Sequence, residues 1–334
     1  MKKSNFIWIA ALALHQLAVL PHAAVAGDDS QADGKQIQAT APASEEKGPP
    51  LPLHAFDGGG GLLITPVALL VNPSERLWGF AGLPSASFTV AKPGAKDAEA
   101  LNVTETFFKR LELGYSGSRF GTYPLNNAVF KETGIHITRD DVYLNNFTAR
   151  VAILNDGDFG VPYIPAITAG ANFKWNSGIS TINHDLGNAL STIGYRKDHG
   201  IDYTVTASKI VKGAFTANRP LLLSTGVRFS QDQWLGYVGF SNHWAASVEA
   251  NAAYSITDWL WLAAEYRQNP NHYGSGITVG GEKLVRTSVL DWWDVGVAFV
   301  LNKHATLTVG YGNFGDVLNS DSRGGWATQL KYEF

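Results

Sequence analysis

Three observations predict an all-β chain folded as an antiparallel transmembrane β-barrel of about twelve strands, with fourteen as the alternative count. Apolar residues recur with a period of two in segments of about ten residues. Short and long connections alternate between these segments. The chain ends on an amphipathic stretch whose last residue is Phe334.

The period of two is clearest in three places. Across residues 143–153 the odd positions are Tyr143, Phe147, Ala149, Val151 and Ile153, interrupted by Asn145, while Asn146, Thr148 and Arg150 fill even ones. Residues 163–175 carry Tyr163, Ile167, Ala169, Ala171, Phe173 and Trp175 on one face, with Thr168, Asn172 and Lys174 on the other. Residues 258–268 set Leu260, Leu262, Ala264 and Tyr266 against Glu265 and Arg267. Alternation of this kind marks half-buried strands and fits no helical spacing.

Read in order, the strands fall near 77–90, 98–107, 111–120, 141–154, 163–175, 201–210, 220–229, 244–255, 258–268, 291–300, 304–313 and 325–334. A strand that crosses a bilayer at a tilt needs about 9–11 residues, which most of these supply. The connections at 108–110, 155–162, 255–257 and 301–303 are short, and those at 121–140, 176–200, 269–290 and 314–324 are long and polar. Short turns at one end and long loops at the other are the pattern of a barrel in an outer membrane. In the closing strand Trp326, Thr328, Leu330, Tyr332 and Phe334 share one face, and Ala327, Gln329, Lys331 and Glu333 the other. Such an ending resembles the signal through which bacterial outer-membrane proteins meet their insertion machinery, so Phe334 and that machinery are expected partners. Trp78, Trp175, Trp259, Trp293, Trp326, Tyr332 and Phe334 stand near strand ends, where amphipathic rings settle at membrane interfaces.

The N-terminal part is organised differently. Residues 1–26 read as a cleaved secretory signal: Lys2 and Lys3, an apolar stretch from Phe6 to Leu20, then Ala24-Val25-Ala26. Residues 27–57 are polar and end in prolines, which predicts a disordered periplasmic lead. The barrel is then expected over 58–334. Composition agrees with export: there is no cysteine among 334 residues, so neither disulfides nor thiolate chemistry can occur. A formal net charge of -3 excludes a strongly basic nucleic-acid binder.

If the apolar face meets lipid, the other face lines a lumen. Its candidates are Glu112, Arg150, Lys174, Asp202, Arg228, Glu249, Glu265, Arg267 and Asp294, together with Lys331. Acids and bases balance there, so a lumen packed with ion pairs competes evenly with a polar conduction path. Glu265 and Arg267 lie two apart and hence on one face, with Arg150 and Arg228 as candidate partners.

Enzyme chemistry finds little support: no nucleophile elbow, no H-E-x-x-H and no phosphate-binding loop occur. A histidine–carboxylate pair, His184-Asp185, with His199 nearby, could serve a hydrolase at the barrel rim, but adjacent pairs are usually solvated loop residues. His243, His272 and His304 sit on separate connections, so no metal ligand set and no cofactor is expected. Trp292-Trp293 beside Asp294 could stack an aromatic or sugar ligand, although an interfacial girdle explains Trp293 more simply.

The run Gly58, Gly59, Gly60 and Gly61 precedes an apolar stretch containing Pro66. It lacks the Lys-Ser/Thr of a phosphate loop, and its apolar run is too short for a helical span. Either it is an extra strand, or it is a glycine-hinged segment tucked into the lumen as a plug, the reading slightly favoured.

Several stretches carry a resemblance to a known family. They are the glycine run with Thr65-Pro66, "RLELGYS" (110–116), "AAEYRQNPN" (263–271), "DWWDV" (291–295), "NKHATLTVGY" (302–311) and the terminal "RGGW…F". From about Gly58 onward the chain resembles a proteobacterial family described as domain of unknown function 3034. That resemblance implies an exported barrel in the outer membrane of a Gram-negative bacterium, surrounded by its lipid, and brings no activity or binding residue. The function expected is a narrow, porin-like pore passing a small solute. The alternative is a closed structural or partner-binding barrel, with a rim hydrolase behind both.

Overall fold

The computed structural model describes residues 51–74, 79–215, 219–274, 276–279, 282–285, 290–317, 320–321 and 324–334. The expected signal, residues 27–50 of the expected lead, and Trp78 lie outside them.

Twelve strands build the wall: β1 (Ser85–Pro93), β2 (Ala98–Phe107), β3 (Leu111–Gly121), β4 (Asp141–Leu154), β5 (Ala166–Ser177), β6 (His199–Lys212), β7 (Pro220–Asp232), β8 (Phe240–Ser255), β9 (Leu260–Arg267), β10 (Trp292–Val300), β11 (Ala305–Asn313) and β12 (Gly325–Glu333). Each pairs antiparallel with its neighbour in chain order. β12 then pairs with β1, from Gly325↔Pro93 to Glu333↔Ser85, and closes the barrel. Closure satisfies every edge, which a sheet surrounded by lipid requires. The first strand starts eight residues later than the alternation suggests, because Pro84 ends an irregular stretch.

The two faces of the wall differ sharply. Phe88, Leu113, Phe147, Val151, Phe173, Val205, Leu223, Val248, Leu262, Val295 and Leu330 all stand exposed on the outside. The inside carries buried Ser87, Thr104, Ser116, Asn146, Thr168, Thr206, Ser247 and the charged residues. Apolar surface running around a whole barrel far exceeds the isolated patches that water-facing proteins tolerate. An apolar exterior and a polar interior are the inverse of a soluble fold and suit a wall set in lipid.

The connections divide by end. Those at 108–110, 256–259 and 301–304 lie at the end that holds Ser85 and Glu333, and those at 122–140, 178–198 and 268–291 lie at the opposite end. The long loops are not structureless. They hold α1 (Tyr123–Thr133), α2 (Ile179–Asp185) and α3 (Ala189–Ile193), with short strand pairs at Ile277–Val279/Glu282–Val285 and Asp316–Val317/Ser320–Asp321. α1 starts with Pro124 in its first turn and stops at left-handed Gly134, whose N–H donates to the Phe130 carbonyl. Its buried Leu125 and Val129, one helical turn apart, fold it inward. They join Val142, Ile179, Ile182, Leu190, Trp234, Tyr237, Phe240 and Tyr273 in an apolar cluster that caps the long-loop end. Burial in this cap raises the Tyr195 hydroxyl to about 12 and pushes those of Tyr237 and Tyr273 up as well, keeping all three neutral.

Candidate functional site: a lumen filled by the N-terminal segment

Residues 51–72 form no wall strand, so the count stays at twelve. They enter the barrel at the short-turn end, where the Lys331 ammonium bonds the Pro52 carbonyl and Glu333 (2.6 Å). They reach the cap, where Phe56 meets Tyr237, and return to the short-turn end, where Thr106 Oγ1 donates to the Val71 carbonyl (2.5 Å). Residues 51–57, which composition assigns to the lead, therefore sit inside the barrel. Leu53, His54 and Asp57 are buried there because the wall supplies partners that the local sequence does not reveal.

The segment is tightly folded on itself. Leu53 and His54 pair with Gly61 and Gly60 as a two-residue ladder, and Gly58 and Gly59 turn the chain at φ +92° and +81°. A side chain at Gly60 or Gly61 would strike its surroundings: its Cβ would lie 2.7 Å from Arg150 Nη1 or 2.4 Å from the Thr65 carbonyl oxygen. Here glycine permits both the turn and the close approach to the wall.

Four polar anchors hold the segment. First, His54 bridges Ser87 Oγ (2.9 Å) and Thr104 Oγ1 (2.8 Å), while Gln329 Nε2 donates to its carbonyl (2.8 Å). Second, Glu112 accepts the N–H groups of Gly60 (2.9 Å) and Val71 (2.8 Å). Its partner Arg150 (2.9 Å) donates to the carbonyls of Gly60 (2.8 Å) and Val67. Third, Glu265 accepts from the N–H groups of Leu63, Ile64 and Thr65 (2.6, 3.0 and 2.7 Å) and from Thr65 Oγ1 (2.5 Å).

The fourth anchor is a charge cluster. Asp57 lies 3.0 Å from Arg228, 3.6 Å from Lys174 and 3.7 Å from Arg267. The same cations meet wall carboxylates: Lys174 with Asp202 (2.6 Å) and Asp232 (2.7 Å), Arg228 with Asp202 (3.0 Å) and Glu249 (2.7 Å), and Arg267 with Glu249 (3.4 Å). All these groups are buried, where charges persist only when paired.

Glu112, Arg150, Lys174, Asp202, Arg228, Glu249, Glu265, Arg267 and Asp294 are thus all inside and buried. The partners expected for Glu265 are different ones: neither Arg150 nor Arg228 reaches it. Register decides this, because Glu112 stands opposite Arg150 and Glu249 opposite Arg267 in their ladders, leaving Glu265 to the inserted segment. Nothing in the strand sequence marks His54, Asp57 or Asp232 as partners.

The aromatic residues sort by end. Trp175, Trp293 and Trp326 are exposed near the long-loop end, and Trp259 and Tyr332 near the other. Trp259 stacks on Phe299, and Tyr332 meets Phe334 edge-on. His243 and His272 line one recess at the long-loop end, whereas the histidine–carboxylate pairs stay apart on the surface. His184 is exposed and 3.7 Å from Asp185, whose carboxylate accepts instead from the Thr138 N–H (2.8 Å) and hydroxyl (2.6 Å); His199 meets Asp198 at 2.9 Å on the surface. Among the described residues, no group of three or more His, Asp or Glu is placed to hold a metal ion.

The sequence model of the family described as Protein of unknown function (DUF3034) matches residues 53–331. The chain belongs to that family. The match opens at Leu53, inside the barrel, so the family's common region includes the lumenal segment as well as the wall. No curated protein matches the sequence. Among solved structures, this DUF3034 chain is similar to "KdgM porin" (10% identity, 75% of this chain and 99% of that one, TM-score 0.44). It is similar to a NanC porin (10%, 75% and 98%, 0.42) and to the COG4313 outer membrane channel from Pseudomonas putida F1 (9%, 79% and 98%, 0.40).

Proposed function

We propose that the protein is an outer-membrane channel for small solutes whose lumen is shut by its own N-terminal segment and opens when that segment leaves. One observation carries this reading: the wall binds the segment through polar anchors, and the three cations that meet Asp57 keep wall carboxylates of their own without it. Lys174, Arg228 and Arg267 face Asp202, Asp232 and Glu249, three cations against three carboxylates, and Asp57 is an addition. A vacated lumen would be polar and open to water. The exposed apolar belt and the aromatic residues at both ends support residence in lipid, and the strand ending at Phe334 supports delivery by the outer-membrane insertion machinery after removal of residues 1–26.

A second reading has its own support. The apolar cap of inward-folded loops, to which Phe56, Leu63 and Ile64 of the segment contribute, covers the long-loop end, as expected of a closed barrel that binds a partner or serves structure alone.

A cross-link separates the two readings. A Cβ built on Gly58 would lie 3.2 Å from Ser116 Cβ, a few tenths of an ångström below the ~3.5–4.5 Å of a disulfide. The chain has no other cysteine to compete. In planar bilayers Gly58→Cys/Ser116→Cys is expected to conduct when reduced and to fall silent when oxidised. Equal conductance in both states would refute the gate, and silence of wild type at all voltages would favour the closed barrel.

A further inference from the structure

Pairing each inward charge of the wall with its contact leaves a remainder. Glu112 takes Arg150, Glu333 takes Lys331, and Asp202, Asp232 and Glu249 take Lys174, Arg228 and Arg267. Every buried lysine and arginine of the twelve strands is then used, and two carboxyls are left over, Glu265 and Asp294. The excess arises because the inner face includes Asp232 and Glu333 beyond the evenly matched set that alternation assigns to it. Lys96, also buried, sits in the turn between β1 and β2 over the Phe120 ring.

The two remaining carboxyls lie together. Glu265 on β9 and Asp294 on β10 stand directly opposite in their ladder, and they share a side-chain hydrogen bond, which between carboxyls requires one proton held in common. The four other donors to Glu265 all belong to the inserted segment. The neighbouring strands supply no cation in their place. On β8 the residue opposite Glu265 is Asn251, itself bonded to Thr65 and Pro66 of the segment. β10 and β11 contain neither lysine nor arginine. Arg267, two positions along β9, is held by Glu249 at 3.4 Å and lies over the Trp292 ring at 5.5 Å. When the segment leaves, its donors leave with it, and both carboxyls face water with no wall cation of their own. A pore whose fixed charges carry one sign in excess concentrates counter-ions and excludes co-ions.

We infer that the opened channel passes small cations in preference to anions, and that Glu265 and Asp294 are the residues that set the preference. Selectivity of this kind presupposes the channel reading above and narrows its small solutes to one class.

The test is the reversal potential of full-length protein in planar bilayers under a KCl gradient at neutral pH. This potential belongs to the open state alone, so it does not depend on how often a variant opens. Wild type should favour K+ over Cl− by roughly threefold or more, the effect of a lumenal potential of about one kT. Glu265→Gln/Asp294→Asn should bring the permeability ratio to about one, because the remaining wall charges are matched. Asp294→Asn alone disturbs none of the four anchors and should move the ratio part of the way. Equal permeability or anion preference in wild type would overturn the inference while leaving the channel reading intact, as would a ratio unchanged in both variants. Silence of wild type at all voltages would overturn both together. The wild-type ratio decides the sign of the preference even where a variant does not fold.

Discussion

Replacing Asp57 by asparagine isolates the hold of the wall on the inserted segment. The substitution keeps the size of the side chain and removes the charge that faces Arg228, Lys174 and Arg267. The three cations are not orphaned, because Asp202, Asp232 and Glu249 remain in contact with them. The cost therefore falls short of the ~3–5 kcal/mol of stranding a buried charge and approaches the ~1.5–3 kcal/mol of a hydrogen bond to a charged group. At one decade per ~1.4 kcal/mol, opening of the segment should become about 10- to 150-fold more frequent. Hydrogen exchange by mass spectrometry reads this directly: amides of residues 58–71 should exchange faster by that factor while β3 to β8 keep their protection. Unchanged exchange in the segment would show that Asp57 does not hold it. Equal acceleration of the wall strands would show that segment and barrel unfold as one unit, and the separate-plug reasoning would fail.

Three further outcomes follow from the same contacts. Glu265→Leu strands the N–H groups of Leu63, Ile64 and Thr65 at roughly 1–3 kcal/mol each, so the exchange protection of those amides should collapse; retained protection would mean that another acceptor replaces the carboxylate. Phe147→Lys puts a charge at mid-strand on the exposed outer face of β4 and should cost about 2–4 kcal/mol of folding stability in lipid vesicles, read from urea titration; a neutral outcome would argue against a lipid-facing wall. The hydroxyl and N–H of Thr138 hold the Asp185 carboxyl below its ordinary 3.8, so the folded form is the more acidic one. The contact between these loops should therefore be fully present above pH 3.8 and be lost only as pH falls through the lowered value, which NMR of the Thr138 amide can follow; loss at higher pH would contradict the bond.

The wall was legible because a strand repeats every two residues. That alternation in 143–153, 163–175 and 258–268 is a local property, and it told which side chains face the lumen without any knowledge of neighbours. Which lumenal groups meet is a property of register around a closed ring. Glu112 and Arg150 are 38 positions apart, and Glu265 is 200 from Thr65, so no local pattern links them. The helix α1 is hard to read from sequence because its inward stripe is only Leu125 and Val129, although Pro124 and Gly134 mark its two ends. The glycine run was readable as a place of close approach, whereas His54 and Asp57 looked like members of a solvated lead. Their burial depends on partners brought from β1, β2, β5, β7 and β9.

Both ends of the inserted segment leave through the same mouth of the barrel, near Lys331 on one side and Thr106 on the other. Traction on the chain before Leu51 would therefore load the anchors one after another: first Pro52 and His54, then Asp57, then Gly60 and the turn bound by Glu265. A strand pulled lengthwise through the barrel would have to break them together. The looped path turns extraction into peeling, so force applied at this mouth meets the anchors one at a time, and the loop can reseat in reverse order when the force ends.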